Sequence, residues 1–196
     1  MRKISLKSTS IAATLLLSLG GSLALMPAVN AAEKCEIDTR KSKAVGQSSA
    51  KKVQKSFKAY QEGDIDGAIA VLLEASPKHD FDKAYIARML GNFYAEKSQM
   101  GTAIKYLKTA VDLDVLGGTD TAATLRLYAD LLLQEKKFKE AIPYYYRWME
   151  FTCKHEAQIY RRIGIAYSEQ KNWNKVLEVA DKGLAISDKP DKGLYQ

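Results

Sequence analysis

The stretch AYIARMLGNFYAEKSQMGTAIKYLKTA, residues 84–110, decides the fold. Its apolar residues recur every three to four positions, the period of a helix face, and Lys97-Ser98 interrupts the pattern near its centre. Gly91 and Ala103 place a small residue in each half, where two helix backbones can approach closely. Related patterns centre on Ala68, Ala103, Ala141 and Val176, at intervals of 35, 38 and 35 residues. Those intervals approach the roughly 34 residues of a two-helix solenoid repeat. A chain of stacked hairpins binds other molecules rather than transforming them.

Working outward, helical pattern begins near Ser49 and continues to about Ser187. Breaks at Gly63-Asp64, Ser76-Pro77, Lys97-Ser98, Gly117-Gly118, Lys136-Lys137, Lys154-His155 and Lys171-Asn172 divide it into eight helices, or four hairpins. The units span about 49–82, 84–117, 122–155 and 157–189. The longer middle interval implies a longer loop at Val115 to Asp120, where Gly117-Gly118 can turn freely. Pro190 stands where a further repeat would begin, so residues 190–196 are expected to be the start of another repeat or a tail. Either a longer solenoid or a partner is then expected to cover the apolar end of the stack.

The first 31 residues form a separate unit. Arg2, Lys3 and Lys7 precede an apolar run from Ile11 to Met26, and Val29 and Ala31 fit a signal-peptidase site, with cleavage expected after Ala31. An uncleaved anchor is the competing reading, although the run is short for a bilayer span, which needs about 20 residues. A lipoprotein signal does not fit, because Glu33-Lys34 precede Cys35. The formal charge of +7 falls to +4 without Arg2, Lys3 and Lys7. So mild and scattered an excess implies no nucleic-acid partner, and no later segment is suited to membrane insertion. Residues 32–48 are polar and basic and are expected to form an extended arm.

The repeated residues resemble the tetratricopeptide repeat (TPR) family. Leu90, Gly91 and Tyr94 match its first-helix signature, followed by Ala103, Leu107 and Ala110 on the second helix. Ile163, Gly164 and Tyr167 repeat the signature in the fourth unit, with Trp173 at the turn. The third unit carries Ala129, Leu132, Phe138, Ala141, Tyr145 and Trp148, while the first keeps only Gly63, Ile65, Ala68, Leu72 and Ala75. The resemblance implies an all-α, right-handed α-solenoid of about four helix-turn-helix hairpins, whose first helices line a concave groove.

In that frame the fifth first-helix positions are Val53, Arg88, Arg126 and Arg161, an arginine column with Arg162 beside it and Asn92 one turn beyond Arg88. Guanidinium groups suit carboxylates and Asn suits an extended backbone. The set resembles part of the carboxylate clamp of TPR proteins that hold acidic C-terminal peptides, although Leu127 and Gln158 stand where that clamp has Asn and Lys. The alternative is that the arginines pair with Glu96, Asp130 or Glu169. Tyr144 and Tyr146 are either aromatic docking residues or ordinary surface tyrosines, whereas Tyr145 and Trp148 point inward. Cys35 and Cys153 are either two thiols or one disulfide, which the arm can reach because 14 extended residues span on the order of 45 Å.

No catalytic residue is proposed. His79 and His155 fall in loops without a partnered nucleophile, and Cys153 with His155 supplies two metal ligands where structural zinc takes about four. No cofactor or metal is implied. The exported start, the arm, the Lys51-to-Tyr60 helix and YYYRWMEFTCK at 144–154 are similar to periplasmic TPR proteins associated with TonB energy-transduction systems. That similarity implies a periplasmic interaction scaffold serving an outer-membrane transport system through an envelope protein partner. The other reading is an assembly factor or chaperone for outer-membrane, secretion or cell-wall components.

Overall fold

A computed structural model describes residues 35–187. The leader at 1–31, its cleavage site and the segment at 190–196 lie outside the described residues. Among those residues there are nine helices and no strand: α1 (Glu36–Thr39), α2 (Gln47–Gln61), α3 (Ile65–Leu73), α4 (Asp80–Glu96), α5 (Met100–Leu113), α6 (Gly118–Gln134), α7 (Phe138–Thr152), α8 (Ala157–Glu169) and α9 (Trp173–Ala185). Helices α2/α3, α4/α5, α6/α7 and α8/α9 pack as hairpins, and each hairpin leans on the next through its second helix.

Small residues set the crossings. Ala68, Ala103 and Ala141 are fully buried, and Ser56, Gly91, Ala129 and Gly164 stand at one equivalent position of the four first helices. A Cβ on Gly91 would lie 2.6 Å from Leu107 Cγ, so only glycine fits. At Gly164 the same atom would meet Val179 at an ordinary 3.5 Å. Ser56 explains the degenerate first unit, because its buried hydroxyl donates to the Ala68 carbonyl at 2.8 Å and keeps the close approach without a glycine.

Each hairpin turns through one left-handed residue: Gly63, Ser98, Lys136 and Lys171, with φ of 84°, 59°, 58° and 56°. The next residue then donates its N–H back to the helix, from Asp64 to Ala59, Gln99 to Tyr94, Lys137 to Leu132 and Asn172 to Tyr167. This is the C-terminal cap that satisfies stranded carbonyls. Side chains of Asp64 and Asn172 then cap the following helix by accepting from Gly67 and Lys175.

The extra residues of the middle interval do not lengthen a loop. Residues 114–117 and 153–156 are equally short connections, and α6 instead begins at Gly118, earlier in its repeat than α8. The glycine pair serves close packing of the arm. Gly118 N donates to the Arg40 carbonyl at 2.8 Å, a Cβ there would overlap the Ile37 carbonyl, and one on Gly117 would come within 2.8 Å of Ser42 Cα.

Residues 35–46 therefore run back along one edge of the stack, touching three successive hairpin junctions. Cys35 is disulfide-bonded to Cys153 at the end of α7. One helical turn, α1, then packs on α6 and α7, with Arg40 bonded to Asp114 at 2.5 Å and its guanidinium over the Phe151 ring. Finally Gly46 N donates to the buried Asp82 of α4 at 3.0 Å, just before α2 begins. Ile37 and Val45 cover apolar side chains of the core along this path.

Candidate partner-binding face

The first helices α2, α4, α6 and α8 are tied side by side through polar and aromatic contacts on one face. Tyr60 of α2 stacks on Phe93 of α4 at 4.9 Å and donates to Glu96 at 3.1 Å. Arg88 of α4 binds Asp120 of α6 at 2.5 Å. Arg126 of α6 reaches Glu156, the residue capping α8, at 3.3 Å, and Arg162 of α8 reaches back to Asp130 of α6.

Three of the arginines are consequently neutralised in place. Their acids are Asp120, Asp130 and Glu156, of which only Asp130 was expected. Asp130 is the hub: it accepts from buried Tyr145 at 2.7 Å, pairs with Arg162 and lies 3.6 Å from Arg126 Nε. Burial raises the Tyr145 phenol pKa, and the hydrogen bond to Asp130 raises it further. Burial pulls Arg162 the other way, yet Tyr145 and Asp130 outweigh it and hold its pKa up. Arg126 also lies over the Trp148 ring at 5.1 Å, so both its charge and its plane are engaged.

Asn92 is exposed, and its amide donates to the Arg88 carbonyl at 2.7 Å. Arg161 is half-buried and makes no ion pair among the described residues. Tyr144 and Tyr146 are both half-buried against the core from α7, Tyr144 edge-on to Tyr128 at 4.6 Å. Cys153 is engaged with Cys35, and His155 Nδ1 lies 2.9 Å from the Tyr160 hydroxyl. Among the described residues no cluster of three metal-ligating side chains occurs, and no helix is long and apolar enough to cross a membrane.

What the arginine column overlooks is the neighbouring ninth position. Phe57, Asn92, Asp130 and Ile165 occupy it in the four units, and Phe57 and Ile165 are about half exposed, at 52% and 47%. Carrying the alanine frame four residues further along each first helix would have found them.

Residues 82–154 match the family model described as tetratricopeptide repeat. The fold is a TPR solenoid. Among solved structures, MamA 41-end from Desulfovibrio magneticus RS-1 is similar at 18% identity, covering 72% of this chain and 77% of its own, with a TM-score of 0.57. YrrB, described as a TPR protein with an unusual peptide-binding site, is 21% identical over 74% of this chain and 71% of its own, also at 0.57. A TPR protein from Parabacteroides merdae ATCC 43184 is 20% identical over 76% and 57% of the two chains, at 0.59. Compared by sequence with curated proteins, the chain matches none. At these identities the likeness carries the all-α right-handed solenoid fold alone.

Proposed function

We propose that this chain is an envelope interaction scaffold that holds an extended segment of a protein partner on the face formed by α2, α4, α6 and α8. The supporting observation is the pair of exposed apolar residues, Phe57 and Ile165, at equivalent positions near the two ends of that contiguous face. Apolar anchors at Phe57, Tyr60 and Ile165 supply contact area, Asn92 meets backbone, and Arg161 takes a carboxylate. Arg88, Arg126 and Arg162 act differently from a carboxylate clamp. Held by acids of neighbouring helices, they stiffen the platform and reduce the ordering cost of binding.

The location proposed is the periplasm, supported by the leader pattern and by a disulfide, which suits an oxidising compartment. Service to a TonB-type outer-membrane transport system is the finer reading, supported by sequence resemblance alone. A photocrosslinking residue placed at Phe57 or Ile165 in cells should capture one envelope protein, whereas the same residue at exposed Lys105 of α5 should not. Equal capture from Lys105 would refute the face assignment, and capture of many unfolded clients would favour the chaperone reading.

A further inference from the structure

The two ends of the described stack differ in chemistry. At one end, the side of α2 turned away from α3 carries Gln47, Lys51, Gln54, Lys55, Lys58 and Gln61, all exposed. This end is capped by polar side chains. At the other end α9 packs chiefly on α8, and Trp173, Leu177, Ala180 and Leu184 follow one another at spacings of 4, 3 and 4 residues, which puts them on one helix face. Trp173 is 59% exposed and Leu177 65%. Lys175, Glu178 and Lys182 pair with one another on the far side of α9, so covering the apolar stripe strands none of those charges.

We propose that two copies of this chain pair through α9, antiparallel about a two-fold axis, with the Trp173–Leu177–Leu184 stripe of each lying on that of the other. End-to-end stacking is disfavoured, because it would press the apolar stripe against the exposed Lys51 and Lys55, which make no ion pair among the described residues, and bury their charges. An isologous pair closes instead. It sets Trp173 near the smaller Leu184 of the second copy, sets Leu177 near Ala180, and leaves the polar α2 face at both outer ends. The stripe offers on the order of 350 Å² of apolar surface per copy, and with a polar rim the contact reaches the lower end of the roughly 1,200–2,000 Å² class of specific interfaces. The dimer is therefore concentration-dependent, and it leaves the α2–α4–α6–α8 face open for a partner.

The test is sedimentation of the purified protein, without reductant, from about 1 to 100 µM, a range that brackets micromolar dissociation constants. The expected result is a rise from monomer to dimer mass with a blue shift of tryptophan emission that Trp173→Phe abolishes. Leu177→Glu should remain monomeric over the same range with unchanged helical circular dichroism, because the side chain it replaces is exposed. Lys55→Glu on the opposite end should dimerise like the native chain. A native chain that stays monomeric throughout, a dimer that survives Leu177→Glu, or one that disappears only on reduction would each overturn the proposal.

Discussion

Opening the Cys35–Cys153 bond should produce the largest single loss of stability available without touching the core. The two cysteines are 118 residues apart, and the chain-entropy treatment of a loop that long gives about 4.9 kcal/mol at 25 °C. The arm retains Arg40 on Asp114, the Gly118–Arg40 hydrogen bond and the Gly46–Asp82 hydrogen bond, so local docking survives while the covalent closure is lost. Urea unfolding of Cys35→Ser, Cys153→Ser and the double variant should each show a decrease of about 2–5 kcal/mol. In a domain of this size that corresponds to a fall of roughly 5–15 °C in the melting midpoint. The double variant should equal either single one, because all three remove the same bond. A loss under about 1 kcal/mol, or a double variant costing the sum of the singles, would refute the assignment of a single long-range closure.

Two further outcomes follow from the edge strap and the buried phenols. Gly118→Ala would favour helix formation by up to about 1 kcal/mol on propensity alone, yet its Cβ overlaps the Ile37 carbonyl, so urea unfolding should show a net loss of about 1–3 kcal/mol. A neutral or stabilising result would mean that the arm does not lie there. Tyr128 and Tyr145 are both buried, and burial raises their phenol pKa, aided by Tyr144 for Tyr128 and by Asp130 for Tyr145. The folded chain then keeps protons that the unfolded chain sheds above about pH 10, so stability should be level below that pH and fall as pH rises beyond it. Urea midpoints at pH 8, 10 and 11 check this: Tyr145→Phe should shallow the decline, and an unchanged midpoint at pH 11 would contradict it.

The solenoid was legible because its cause is local and repeated. Ala68, Ala103 and Ala141 are buried at crossings that recur with the hairpins, and any frame built on them finds Gly91, Ala129 and Gly164. Ser56 hid the first unit, because a serine in that slot signals nothing until its hydroxyl is seen bonded to Ala68. Gly117-Gly118 suggested a free turn for the same reason. A glycine reports either unusual backbone angles or a close neighbour, and the neighbour here comes from the arm, far away in sequence. The arginine column was visible, but its charge state was not. Asp120 and Glu156 lie at helix starts, and only the stacking of consecutive hairpins brings them onto Arg88 and Arg126. Phe57 and Ile165 resemble core residues in any hydropathy profile, and their exposure follows from which side of each helix the stack leaves bare.

The strap also imposes an order on biosynthesis. Cys35 leaves the ribosome 118 residues before the thiol it meets, and assembly of α2 through α7 removes the loop-closure cost that separates the two sulfurs in the unfolded chain. The sequence holds two cysteines, so within it neither has a wrong partner. An oxidant that arrives before the hairpins assemble meets two distant thiols, so joining of neighbouring chains then competes with closure within one.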